Sequence, residues 1–200
     1  MDLVCIATAD GRAYYSILTR LRKTGLAYRS LTPELIDSRC ALILTTRGEL
    51  DRIKGTTVAI EDLSEDPVIM KGQLVAKLGK EGGRELLLGI DPGSRIGVAI
   101  FYSNVKIASL TFRSSGELLG MLDAMVQNIP YSKLVVKMGG GAPKHSRLLA
   151  RAIMRRVSSA TIEIVDEKGT SSYRPRQRDL TRDQLAAERI AYRKGLPFVA

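Results

Sequence analysis

Leu86-Leu87-Leu88-Gly89-Ile90-Asp91-Pro92-Gly93-Ser94-Arg95-Ile96-Gly97-Val98-Ala99-Ile100 decides the fold. An apolar run ends in one carboxylate, a tight turn follows, and a second apolar run returns. Two apolar runs of strand length on either side of a turn read as adjacent strands. A lone Asp at the carboxyl end of a buried strand leaves the sheet there and suits a metal ion or a metal-bound phosphate. Asp91-Pro92-Gly93 is also an ordinary turn sequence, with Pro setting φ and Gly supplying a positive φ. The stretch by itself supports both readings, and the surrounding chain weighs toward the first.

Downstream, Gly97 to Ser103 and Lys106 to Arg113 read as strands, with Asn104 marking a hairpin turn between them. A helix follows from Ser115 to Val126, then strand Leu134 to Met138, helix Pro143 to Val157, strand Thr161 to Val165, a basic loop and helix Arg182 to Lys194. This order, βββαβαβα with an opening hairpin, resembles that of RNase H-like domains. It predicts an α/β domain over residues 84–200: a mixed five-stranded sheet flanked by helices. Upstream, Lys80-Glu81-Gly82-Gly83-Arg84 is polar and glycine-rich and reads as a hinge. Residues 1–83 alternate strands (Leu3 to Ala7, Ala41 to Leu44, Thr57 to Ile60) with helices (Gly11 to Thr24, Pro67 to Leu78), which predicts a small α/β accessory domain. Asp10 and Glu61-Asp62 follow strands there and read as helix-start caps.

Charge is divided unevenly. Residues 1–83 hold 12 Lys+Arg against 11 Asp+Glu, a net of +1, and residues 84–200 hold 19 against 10, a net of +9, within a total of +10. A one-sided excess of this kind fits a domain that meets a polyanion, because Lys and Arg that neutralise phosphates release counterions. The 44% hydrophobic content suffices for ordinary cores. No basic-then-apolar leader opens the chain and no apolar run reaches membrane length, which argues against secretion and membrane spanning. Cys5 and Cys40 lie in apolar runs and read as buried reduced thiols, which implies a cytoplasmic protein.

The predicted helix from Pro143 carries Lys144, Arg147, Arg151 and Arg155 at spacings of three and four, opposite Leu148, Leu149, Ala152 and Ile153. It contains no acid. Like charges at i, i+4 repel unless something anionic relieves them, so the stripe reads as a phosphate-contacting face. His145, the only histidine, sits beside Lys144 and reads as a surface or DNA-contact residue. In the loop before the last helix, Arg174, Arg176 and Arg178 alternate around Tyr173 and Pro175, which suits phosphate contact. Asp166 and Glu167 open that loop, at a strand end expected to lie beside the first strand. The last helix starts with a capping box, Thr181 with Gln184, and a hydrophobic staple, Leu180 with Leu185. Asp183 thus falls in the first turn, on the face of Ala187 and Ile190 that turns inward, where a carboxylate needs a partner.

Three blocks together carry a family resemblance: Leu88-Gly89-Ile90-Asp91-Pro92-Gly93-Ser94 with Gly97, Val165-Asp166-Glu167-Lys168 with Thr170, and Asp183-Gln184-Leu185-Ala186-Ala187. In order and spacing, residues 84–195 resemble the RuvC-type and, more closely, the YqgF-type Holliday junction resolvases of the RNase H-like superfamily. The resemblance implies that Asp91, Glu167 and Asp183 are catalytic, metal-binding carboxylates, with Asp179 or Asp166 as auxiliaries and Mg²⁺ or Mn²⁺ as cofactor. It implies a structure-selective endonuclease, acting as a homodimer on branched DNA, or RNA, by two-metal hydrolysis. One departure matters. The RuvC type places a Glu at the end of the strand read here as Leu134 to Met138, where Lys137 or Met138 stands before Gly139-Gly140-Gly141. Lys137 is then counted with the nucleic-acid-binding cations, and the competing reading is a domain of this fold that binds nucleic acid without cutting it. A third reading, an actin-like ATPase that shares the opening hairpin, needs two such domains, and only one fits.

Overall fold

A computed structural model describes residues 3–37, 39–79, 83–166 and 181–199. Contacts divide the chain into Met1–Lys80 and Glu81–Ala200.

The first unit is a parallel four-stranded sheet in the order β2-β1-β3-β4, from β1 (Leu3–Ala7), β2 (Tyr28–Leu31), β3 (Cys40–Thr45) and β4 (Thr57–Ala59). Helix α1 (Gly11–Thr24) starts at Asp10, whose carboxylate accepts from the Arg12 and Ala13 N–H groups, and stops at Gly25, left-handed at φ 67°. Helix α2 (Pro67–Leu78) starts at Asp66 with Pro67 in its first turn. The two helices pack on each other and on one sheet face, where Ile6, Ile17, Leu21, Leu42, Met70 and Leu74 form the core. Strand β2 was not expected. Its residues Tyr28-Arg29-Ser30-Leu31 are half-exposed or exposed at the sheet edge, so they carry none of the apolar signal that marks β1 and β3.

The second sheet face corrects the expectation of reduced thiols. Cys5 and Cys40 form a disulfide there, beside Ile43 and Ile53. A parallel pairing of β1 with β3, shifted in register between Leu3 and Val4, brings residues 35 apart in sequence to a Cα separation of 5.7 Å. Burial in an apolar run says nothing about which strands are neighbours.

At the carboxyl ends of β1 and β3, Glu49 ties the two strands together. Burial pushes its carboxyl up. The Thr8 hydroxyl (2.6 Å), the Ala9 N–H (2.8 Å) and the Thr46 and Thr45 hydroxyls (2.7 and 3.0 Å) outweigh that and hold it down at about 2. Because the folded value lies below the ordinary 4.5, the unfolded state takes up the proton first. The stabilisation is therefore complete above pH 4.5 and is lost as pH falls toward 2. Glu49→Gln should remove on the order of 2 kcal/mol at neutral pH and flatten the acid limb of stability. Denaturant titrations that run parallel for the two proteins across that range would contradict this.

The second unit has a six-stranded sheet in the order β10-β9-β8-β5-β6-β7. Its strands are β5 (Glu85–Pro92), β6 (Ile96–Tyr102), β7 (Val105–Phe112), β8 (Lys133–Gly139), β9 (Thr161–Val165) and β10 (Leu196–Pro197). β6 is antiparallel to β5 and β7, whereas β5, β8 and β9 are parallel. Without β10 this is the strand order of the RNase H-like fold. The expected five strands are joined by two residues at the edge, too short to show a period. The β6–β7 turn holds Ser103 and Asn104 at φ 45° and 68°, the paired positive values of a two-residue hairpin turn.

Helices α3 (Ser115–Asn128), α4 (Pro143–Arg156) and α5 (Arg182–Ala191) flank the sheet. α5 packs on β5, β6 and β8, on the face of Leu87, Gly89 and Asp91. Leu86, Leu88 and Ile90 alternate to the other face, toward α3 and α4.

Candidate carboxylate site and nucleic-acid face

Asp91 and Pro92 belong to strand β5 itself, paired with Gly97 and Ile96. The turn starts only after them. Gly93 is not among the positive-φ glycines, so the simple Asp-Pro-Gly turn is corrected: Asp91 stands at the carboxyl end of the central strand.

Opposite Asp91, glycines set the approach of α5. A Cβ on Gly97 would lie 2.2 Å from the Asp183 carbonyl oxygen, and one on Gly89 would lie 2.2 Å from that of Ala187. Only Gly admits a helix backbone this close to a sheet. The start of α5 is also held from the side. Thr181 and Gln184 form the expected capping box, and the Gln184 side-chain amide donates to the Ser109 carbonyl at 3.1 Å. Glu188 accepts from the Ser109 hydroxyl at 2.6 Å and pairs with Lys106. Asp183 is thereby placed over Gly97, the residue that pairs with Asp91. Gly97→Ala should lift the first turn of α5 and cost about 1–3 kcal/mol through overpacking. Unchanged stability in urea titrations would show that the contact relaxes freely.

Asp91 and Asp183 line one cavity of about 420 Å³, together with Arg182, Arg189 and Arg193. Arg193, just past α5, also donates to the Asp166 carbonyl at 3.1 Å, fastening the turn after α5 to the end of β9. Three guanidiniums against two carboxylates leave the cavity with an excess positive charge, which suits a phosphodiester. Sequence reasoning singled out both acids and missed Arg189 and Arg193. Their signal was the spacing of seven and then four from Arg182, which on the expected helix Arg182 to Lys194 puts the three arginines on one side.

Glu167 and Asp179, expected as further ligands, lie outside the described residues, as do Arg174, Arg176 and Arg178. Among the described residues no group of three His, Cys, Asp or Glu could hold a metal ion. Asp91 and Asp183 supply the oxygen donors that Mg²⁺ or Mn²⁺ takes, hard cations that use one or two protein carboxylates and complete their shells with water and substrate phosphate. Asp166 is exposed at the end of β9, which neighbours β8 and β10 and not β5. The expectation that it stands beside the first strand is therefore corrected, since one whole strand intervenes. The register shows which residues of β8 lie nearest Asp91. Ile90 pairs with Met138, so the residue beside Asp91 on β8 is Gly139. Lys137 pairs with Gly89 instead, and its ammonium donates to the Arg193 carbonyl at 2.7 Å, 3.7 Å from the Glu163 carboxylate. With a side chain only 18% exposed, Lys137 serves a contact within the fold. Gly140 donates to the Val165 carbonyl and buried Ser146 to the Gly139 carbonyl, so these glycines are held between β9 and α4.

Lys144, Arg147, Arg151 and Arg155 are all exposed on α4, and none makes an ion pair with a described residue. Arg156, off the stripe, pairs with Asp123 of α3. The buried face keeps two of the four residues of the sequence reading and replaces Leu148 and Ala152. Leu149 and Ile153 are buried with Ser146 and Ala150, whereas Leu148 is 65% exposed. His145 is exposed and lines a separate cavity of about 410 Å³ with Leu148 and the turn Gly93-Ser94. No helix among the described residues is long and apolar enough to cross a membrane.

No family model matches the chain, and no curated protein matches it. Among solved structures it is similar to Marinitoga piezophila Argonaute in complex with a 5′ OH guide RNA, at 10% identity and a TM-score of 0.30, over 82% of this chain and 39% of that one. The same Argonaute with guide RNA and target DNA shows 10% identity and a TM-score of 0.33, over 87% of this chain and 40% of that one. The chain spans about two fifths of the length of those Argonaute chains.

Proposed function

We propose that the second unit is a metal-dependent, structure-selective endonuclease acting on branched nucleic acid in the manner of a Holliday junction resolvase. The observation that carries this reading is the cavity shared by Asp91, at the end of the central strand, and Asp183, on the first turn of α5. Asp91 and Asp183 hold the cation, with Glu167 and Asp179 as further ligands. Bound Mg²⁺ or Mn²⁺ supplies an activated water and neutralises the departing oxygen of a phosphodiester. Arg182, Arg189 and Arg193 draw the phosphate in and offset the charge that attack adds to it. Lys144, Arg147, Arg151 and Arg155 grip the backbone on α4. These contacts read shape and charge, so selectivity falls on branch geometry and not on base sequence. Two copies acting together bring two such sites to opposing strands.

A non-catalytic nucleic-acid-binding domain is the second reading, favoured by the end of β8, where the RuvC type has a carboxylate and this chain has Lys137, Met138 and Gly139. Cleavage of a labelled four-way junction by the full chain with Mg²⁺ or Mn²⁺ separates them. Failure to cut branched DNA or RNA with either metal, without metal-induced stabilisation, overturns the nuclease reading and leaves the binding one.

A further inference from the structure

A groove of about 550 Å³ runs between α4 and the segment Leu196-Pro197-Phe198-Val199. Its two walls differ in kind. Arg147 and Arg151 stand one helical turn apart on the α4 side, exposed and without an ion pair to any described residue. Leu196, Phe198 and Val199 with Ile164 make the opposite wall apolar, and Leu196 and Val199 are 77% and 87% exposed. No acidic side chain is among the described residues that line it. The groove's lining includes Gly140, which follows Gly139, the β8 residue beside Asp91. Gly140 thus brings one edge of the groove to the end of the sheet where Asp91 stands, while α4 itself packs on the face opposite to α5.

A row of cations facing a row of apolar side chains matches one kind of polymer. A single nucleic-acid strand carries an anionic phosphate and a flat apolar base face at every residue, so it can meet both walls at once. A duplex stacks its base faces internally and presents phosphates, sugars and base edges but no open base face. An acidic peptide offers carboxylates with no comparable apolar plane. We propose that this groove is a subsite for an unpaired strand, with phosphates on Arg147 and Arg151 and a base against Phe198 and Leu196. It rests on the nucleic-acid reading of the second unit and identifies the substrate feature as a single-stranded arm held apart from the Asp91–Asp183 cavity. The Phe198 N–H donates to the Ile162 carbonyl, so the backbone that presents the ring is anchored to β9 whatever side chain stands there.

The test is fluorescence anisotropy of the full chain with a labelled oligothymidine and, separately, a duplex of equal length, in EDTA over a series of salt concentrations. Phe198→Leu, which keeps apolar bulk and loses the ring, should weaken oligothymidine binding by roughly tenfold and change duplex affinity by less than about twofold. Phe198→Trp should match or exceed the native chain. Arg147→Gln with Arg151→Gln should lower the single-strand salt slope by about 1.4, from ~0.7 per lost phosphate contact. The proposal is overturned if Phe198→Leu leaves oligothymidine binding unchanged or weakens both substrates equally, if the arginine pair leaves the slope unchanged, or if polyglutamate competes as well as the oligonucleotide. Binding is read without metal. A chain that never cuts can therefore still pass, and failure here leaves the cleavage experiment standing.

Discussion

If the second unit is the proposed nuclease, Asp91→Asn should abolish Mg²⁺- or Mn²⁺-dependent cleavage of a four-way junction, by at least about a hundredfold, while junction binding should be kept or tightened. The amide has the shape of the carboxylate and lacks its charge, so the strand end would be preserved and the proposed cation would lose a ligand. Binding gains for a related reason. With Asp91 neutral, Arg182, Arg189 and Arg193 face the phosphates with one fewer anion beside them. Asp183→Asn should behave alike, because it lines the same cavity from α5. Asp123→Asn, whose native carboxylate pairs with Arg156 on the surface, serves as the control and should cut normally. Gel assays of cleavage and binding on the same preparations decide it. Equal cleavage by the native chain and Asp91→Asn would remove Asp91 from the chemistry.

Reduction of the Cys5–Cys40 disulfide should cost the first unit about 4 kcal/mol. A cross-link across 35 residues of sequence removes loop entropy from the unfolded chain by about that amount at 25 °C. It joins β1 to β3, at the centre of a four-stranded sheet of short strands, so its loss is felt through the whole unit. Amide hydrogen exchange in oxidising and reducing buffer should show β1 and β3 losing protection on reduction, with β5, β6 and β8 unchanged. Cys5→Ala with Cys40→Ala should reproduce the reduced pattern. Two thiols alkylated in the native protein, with one exchange pattern in both buffers, would restore the reading of buried reduced cysteines.

The sequence by itself determined the elements of the second unit and their order. Apolar runs of strand length, Asn104 at a tight turn and the Thr181–Gln184 cap are local signals, written in residues next to one another. Asp91 was legible for the same reason, as a lone carboxylate closing an apolar strand. Only the tertiary structure decided what depends on neighbours distant in the chain. The half-exposed edge strand Tyr28–Leu31 and the two-residue strand Leu196–Pro197 have no period of their own and form by pairing with β1 and β9. The Cys5–Cys40 bond depends on β1 lying beside β3. Which of Lys137, Met138 and Gly139 stands beside Asp91 is a matter of register between β5 and β8, and a slip of one residue would put Met138 there and turn every β8 side chain to the other face. Arg189 and Arg193 join the acids because Gly89 and Gly97 let α5 lie directly on the sheet, a contact that no single segment encodes.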